Sequence, residues 1–491
     1  MVDYKEKAKE LLKRLRYYES VHEVMYCDRQ FTLPKYGREY MEEVSEFLAE
    51  ESQKLLISDK TKCILKYYDE KEISDDYLKG CIRILNEKYD KSTKVPLRLK
   101  VELDKFCAEA QEVWHEAYNN DDFQKFKPYI KRQFELQKEL AKVINPNMNS
   151  YDVLLKQWDR SLDTQKVTEI INVLKPRLID IYKESTELYK NIDKSILNVK
   201  TSKELNKKIA MKAAEKFGLD MNKAHIEEVL HPVCVCVGPR DSRPTTNYSD
   251  LWMGIISLMH ECGHGIYNYS SNNTVVSYGL WGGIEGMMHE SQSRFYENMI
   301  CKTKAFWKGL YPEIQEEVSE LKHVSLDDFY KTLIKPQASV NRRSADELTY
   351  NIHIIIRFEM ERDYFQGKIS IDNFPEIWNK KYEDYLGVTP KSSRDGILQD
   401  VHLASGHVGY FQSYLMGDLY AAQFRNALLK DIPDAYHEIE NGSLDKVNEW
   451  MIKNIYQYGQ TYTPEEILLN VTGEAIDPRY LISYLEEKYL R

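Results

Sequence analysis

Leu11, Leu15, Tyr18 and His22 recur at intervals of three and four with Lys and Glu between them, the spacing of one face of an α-helix. The same periodicity runs through residues 40–56, 97–119, 129–144 and 164–192, and breaks are expected near Pro34, Pro96, Pro128, Pro146 and Pro176. One stretch departs from it. In residues 231–248, HPVCVCVGPRDSRPTTNY, Val233, Val235 and Val237 alternate with Cys234 and Cys236, the period of a strand, and Gly238-Pro239 marks a turn. The two cysteines then lie on one face of a short strand and are not read as a metal pair. Residues 1–217 hold only Gly37 and Gly80, whereas the stretch from Gly238 to Gly286 holds eight glycines. Helical periodicity resumes near residue 250 and continues with breaks. No repeat of fixed period and no low-complexity linker appears. The pattern predicts a mainly α protein with one small β-sheet beside the glycine-rich centre.

Composition narrows the class without naming a chemistry. Of 491 residues, 42% are hydrophobic and 30% charged, which supports a sizeable core and excludes a disordered chain. A net charge of −10 argues against non-specific binding to nucleic acid or an anionic membrane. No run approaches the roughly 18 apolar residues of a membrane span, and the charged first twenty residues hold no apolar signal region. Eight scattered cysteines without zinc-ribbon or CxxC spacing suit free thiols, so a cytoplasmic location is expected. The 36 tyrosines accompany many Lys, Asn and Ile, a mixture that codon bias explains at least as well as ligand stacking.

The chemistry sits in LWMGIISLMHECGHGIYNYS, which contains His260-Glu261-Cys262-Gly263-His264. Residues four apart on a helix share a face, so both imidazoles reach one ion, and Glu261 beside them is placed to take a proton from an attacking water. Zinc in a hydrolase takes three protein ligands, keeps one position open and lowers the pKa of water to near 7. The apolar run from Leu251 to Met259 puts these polar residues at the buried end of a core helix, where they are costly without partners. A metal hydrolase is the reading this favours over a satisfied polar cluster.

The third ligand is open on spacing alone. No further His follows His264 in GIYNYS, which excludes a metzincin pattern. The segment 281–298 offers Glu285, His289, Glu290 and Glu297. Glu290 and Glu297 share a face, whereas His289 projects about 100° from Glu290 on a helix. Glu285 and Glu297 are also available to accept from the outer N–H of a ligating histidine.

At this point the sequence resembles the carboxypeptidases of peptidase family M32, the carboxypeptidase Taq family. Five motifs occur in order between residues 231 and 402: His231-Pro232-Val233 for the family's HPF; Asp241-Ser242-Arg243-Pro244-Thr245 for DxRxT; the HExxH; His289-Glu290-Ser291-Gln292 for HES(G)Q; and Ile397-Leu398-Gln399-Asp400-Val401-His402 for IxxQDxH. Val233 departs from phenylalanine, Leu403 stands where the family often carries tryptophan, and His407 lies in SGHVGYF; these bear on substrate preference. The resemblance covers essentially the whole chain and implies His260, His264 and Glu290 as metal ligands and Glu261 as general base. It further implies His402 at the oxyanion, with Tyr410 or Tyr414 beside it, the two tyrosines being four apart.

An exopeptidase must read a free carboxylate, a task for a guanidinium fork. Arg357 ends the apolar run Ile352 to Ile356 and has either that role, favoured by the resemblance, or a helix salt bridge with Glu361. Arg243 either limits how far substrate runs past the metal or pairs with Asp241, and His231 is a further substrate-binding candidate. The resemblance implies a mainly α, two-lobed helical gluzincin-type metallopeptidase with a deep groove; contacts spread from His231 to Tyr414 must converge on one site, so residues 1–491 are read as a single unit, with the glycine-poor 1–217 as the helical lobe and 218–491 as the metal-site and substrate-binding lobe. It also implies one divalent metal per chain, Zn2+ or alternatively Co2+, peptide substrates with a free C-terminal carboxylate, broad specificity disfavouring proline next to the cut, and a homodimer. The alternatives are an oligopeptidase cutting within short peptides and an inactive peptide-binding relative; the presence of Glu261 and all three ligands speaks against the latter.

Overall fold

The computed structural model describes residues 3–69, 71–284 and 286–491. Glu285, one of the candidates for the third ligand, therefore lies outside the described residues. The fold is mainly α with one three-stranded sheet, as the periodicity predicts. Helices Tyr4–Phe31, Arg38–Leu56, Leu97–Asn120, Phe123–Ile144 and Thr164–Leu188 match the five periodic segments. Their starts follow local chemistry: the carboxylates of Asp3, Asp122 and Asp163 accept backbone N–H groups of the first turn.

Two expected breaks are corrected. Pro128 and Pro176 lie inside helices Phe123–Ile144 and Thr164–Leu188. An internal proline forfeits one backbone hydrogen bond and costs about 3 kcal/mol. Pro128 is only the sixth residue of its helix, near the unpaired first turn. Pro176 has Ile170, Ile171 and Leu174 buried before it and Leu178 and Ile181 after it, and burial of both halves against the core outweighs the local cost. Helices Asp59–Tyr68, Asp76–Thr93, Ser150–Trp158 and Lys203–Lys216 were not singled out by the periodicity.

By contacts the chain forms two compact units, each assembled from separated segments. The first comprises Met1–Thr93, Lys194–Tyr330 and Tyr420–Ile476; the second comprises Lys94–Asp193, Lys331–Leu419 and Asp477–Arg491. The glycine boundary near residue 217 is a different division of the chain.

In the first unit, Leu11, Leu12 and Leu15 of the opening helix meet Ile64, Leu65, Ile82, Leu85 and Leu280 in one buried cluster. The sheet has the order β1-β3-β2, with β1 Glu227–Glu228 parallel to β3 Asp241–Thr246 and β2 Cys234–Gly238 antiparallel to it. Val235 and Val237 pack on Cys27 of the opening helix. The alternate residues take the other face: Cys234 Sγ lies 3.2 Å from Ser242 Oγ, and Cys236 Sγ lies near Gly282. Thr245 Oγ1 donates to the carbonyl of Val233 and accepts its N–H, both at 2.7 Å, so two of the sequence motifs clamp one another.

In the second unit the helix Glu347–Phe365 is buried continuously from Glu347 to Glu361. Its hydrophobic residues pack on all sides, which is why the run around Ile354 shows no amphipathic stripe.

Candidate active-site residues

The helix Leu251–Tyr269 carries the HExxH and is capped by Asp250, whose side chain accepts from Met253 N–H. A second helix, Met287–Arg294, carries the HESQ and runs on into a π-helical segment, Phe295–Cys301. Gly263 lets the two approach: a Cβ there would stand 2.8 Å from the carbonyl oxygen of Gln292 and 2.9 Å from Ser293 Cα. One atom each from His260, His264 and Glu290 then lies within 4.8 Å of the others, a donor set that fits a divalent cation. The Nδ1 atoms are used elsewhere, which leaves the Nε2 atoms for the ion; His264 Nε2 is 3.8 Å from Glu290 Oε2.

Each ligand has a partner behind it. His260 Nδ1 lies 2.8 Å from Glu297 Oε2, and His264 Nδ1 lies 2.6 Å from His289 Nδ1. Arg294 donates to Glu290 Oε1 at 2.9 Å and to Glu297 Oε2 at 3.3 Å, tying the two carboxylates together. The remaining HESQ residues are structural: Gln292 Oε1 accepts from Tyr456, and Ser291 donates to the Met288 carbonyl.

Burial sets the charges. It opposes a proton on His260, but the bond to Glu297 and the carboxylates of Glu290 and Glu261 outweigh it and raise that pKa to about 9. Burial pushes Glu261 up to about 7, against the pull of His260. It opposes ionisation of Glu297 as well, yet Lys302, Arg294 and His260 hold that carboxyl well below its usual range. Burial holds His264 well below the usual range and His289 at about 4.

In the second unit the IxxQDxH motif organises two arginines. Arg357, 2% exposed, donates from Nε to Asp400 Oδ2 at 2.6 Å and from Nη2 to Gln399 Oε1 at 2.8 Å. Its Nη1 donates to the His353 carbonyl and to Tyr382. Asp400, not Glu361, is thus its ionic partner. Arg342 meets the other oxygen, Asp400 Oδ1, from Nη2 at 3.1 Å, and lies over the rings of Tyr414, Phe411 and Tyr350. Asp400 is buried, which opposes its charge, but the two arginines hold its carboxyl far below the usual range. Periodicity gave no warning of Arg342, which sits in a short 3-10 turn after a loop.

His402 meets Phe411 at a tilt, 4.6 Å between ring centres, and stacks on Tyr410 at 5.9 Å, with Nδ1 at 3.9 Å from Asp400 Oδ1. Burial lowers its pKa to about 4 despite Asp400, so it is neutral near pH 7. Tyr410 precedes the helix that starts at Gln412, yet its ring meets that of Tyr414 at 5.3 Å. In the first unit Arg243 pairs two-pronged with Asp241, at 3.1 and 2.9 Å, while His231 is exposed in the loop before β2.

An HExxH helix joined by a glutamate from a following helix defines a zincin-type metal hydrolase. The chain belongs to the family described as Carboxypeptidase Taq (M32) metallopeptidase, which matches residues 7–489. Carboxypeptidase 1 of Bacillus subtilis is 33% identical over 491 residues, covering 99% of this chain and 98% of that protein. Thermostable carboxypeptidase 1 of Thermus thermophilus is 33% identical over 424 residues, covering 83% of this chain and 82% of that protein. The solved structure of a Pyrococcus furiosus carboxypeptidase superposes with a TM-score of 0.95 at 29% identity, covering 100% of this chain and 99% of that one. The protein is an enzyme, a metal-dependent carboxypeptidase that acts on peptides. Among the described residues no helix is long and apolar enough to cross a membrane.

Proposed function

We propose that His260, His264 and Glu290 hold one Zn2+ per chain, and that the enzyme releases C-terminal amino acids with broad specificity, disfavouring proline next to the cut. The supporting observation is the approach of the three ligand atoms to within 4.8 Å, with Glu261 next in sequence to a ligand and 7% exposed. The same donor set accepts Co2+. When bound, such an ion supplies Lewis acidity to a water and to the scissile carbonyl. Glu261 takes the proton of that water and returns it to the leaving amine.

His402, neutral and with one N–H to give, donates to the oxyanion together with Tyr410 or Tyr414. The substrate carboxylate is read by the arginines on Asp400. Arg342, whose Nη1 meets Tyr350 alone and whose Nη2 meets Asp400 alone, makes the contact, and Arg357, whose Nη1 and Nη2 each meet two partners, holds Asp400 in register. Arg243 and His231 are further substrate contacts. Eight scattered cysteines without zinc-ribbon or CxxC spacing suit a reducing compartment, so the enzyme works in the cytoplasm. By resemblance to its family it works as a homodimer.

Glu261→Gln tests the mechanism: metal content stays at the wild-type level and turnover falls by about 10²–10⁴-fold or more. Unchanged turnover sinks the assignment. On an N-blocked peptide, free amino acids appear before internal fragments; the reverse order makes the enzyme an oligopeptidase.

A further inference from the structure

The two histidine ligands are backed differently. His260 faces a carboxylate, whereas His264 faces a second imidazole, His289, whose other nitrogen Nε2 lies 2.8 Å from Asn268 Oδ1. Asn268 is one helical turn beyond His264 and 1% exposed, and His289 bridges this pair from the HESQ helix. The amide of Asn268 continues the chain: Nδ2 donates to Ser242 Oγ at 3.4 Å and approaches Cys234 Sγ at 3.8 Å on the sheet.

Each link in this series dictates the next. A histidine that binds a cation through Nε2 must carry its proton on Nδ1. His289 Nδ1 must then accept, so His289 is protonated on Nε2, and that N–H needs an acceptor. Asn268 presents Oδ1 at this point and turns its NH2 to Ser242, the orientation the series requires. Reversed, the series would put the proton of His264 on Nε2 and block the ligand.

We propose that His289 and Asn268 are positioning residues, a one-way hydrogen-bond relay that holds His264 as its Nδ1–H tautomer and so keeps its Nε2 lone pair turned to the metal. The proposal rests on the ligand assignment above. Gly283 leaves room for it, since a Cβ there would stand 2.4 Å from Tyr267 Cε1 and 2.8 Å from His289 Cδ2.

The test is Zn2+ affinity of the full-length apoprotein by chelator competition, with the visible spectrum of the Co2+ form as a second readout. His289→Phe removes the acceptor and weakens Zn2+ binding about 10–100-fold. His289→Gln, whose amide oxygen can accept the same N–H, recovers affinity to within a few-fold of wild type. Asn268→Leu, which leaves all three proposed ligand side chains in place, weakens binding by the same order as His289→Phe and shifts the Co2+ spectrum; it carries the test if His289→Phe does not fold by circular dichroism. Wild-type affinity in His289→Phe or Asn268→Leu overturns the relay, and so does a His289→Gln protein as weak as His289→Phe. If His260→Ala also leaves Zn2+ affinity unchanged, the ligand assignment itself has failed.

Discussion

Glu361 offers a prediction whose sign runs against the intuition that a buried carboxylate strengthens a fold. It lies on the helix Glu347–Phe365 and is 4% exposed. Its Oε2 accepts from Gly409 N–H at 2.8 Å and from Tyr151 at 3.1 Å. Its Oε1 is buried without a hydrogen-bond partner, beside a cavity of about 30 Å³ lined by Phe134, Phe374, Trp378 and Phe411 among others. Burial pushes the carboxyl from 4.5 up to about 7, against these two hydrogen bonds. The unfolded chain therefore releases this proton first. Stability is intact below the unfolded value, falls as pH rises, and levels off above the folded value. With those two values the penalty is roughly 1 kcal/mol at pH 5 and roughly 3 kcal/mol at pH 8.

Glu361→Gln keeps an oxygen for Gly409 and Tyr151 and does not titrate. Whatever the new amide costs is the same at both pH values and cancels. Relative to wild type, the variant gains about 2–3 kcal/mol between pH 5 and pH 8. Urea unfolding followed by tryptophan fluorescence, with EDTA present so that metal binding does not enter, measures this directly. Parallel stability profiles for the two proteins refute the reasoning, because Glu361 would then be ionised in the fold.

Asp400→Asn leaves the buried Arg357 guanidinium without its counter-ion and lowers stability at pH 7 by about 3–5 kcal/mol in urea; a loss under about 1 kcal/mol would mean another group neutralises the arginine. Gly263→Ala drives a methyl into the backbone of the HESQ helix, so the protein loses about 1–3 kcal/mol of stability and part of its bound metal, read by atomic emission. Glu290→Gln lowers metal occupancy at least tenfold in a chelator series; if occupancy holds, Glu290 is not the third ligand.

The helices and the metal motif were legible because each follows from local spacing. Leu11, Leu15 and Tyr18 mark one face without reference to any distant residue, and the four-residue interval of His260 and His264 makes a shared ligand face wherever a helix forms. Glu297 was a candidate partner from its heptad spacing to Glu290, and in the folded chain it backs His260. Pro176 misled because the penalty is local whereas the compensating burial of Ile170, Leu178 and Ile181 comes from the rest of the unit, and Pro128 because it sits near the first turn, where a missing N–H costs little.

The roles of Arg342, Asp400, His289 and Asn268 belong to tertiary structure. Nothing in the spacing ties Arg342 to a residue 58 positions later, or turns His289 away from the metal toward the back of His264. Their function depends on which donor meets which acceptor once water is gone, and in a dry interior a single partner decides the charge or tautomer of a group. Local sequence sets which side chains share a face; only the folded chain sets what each of them meets there.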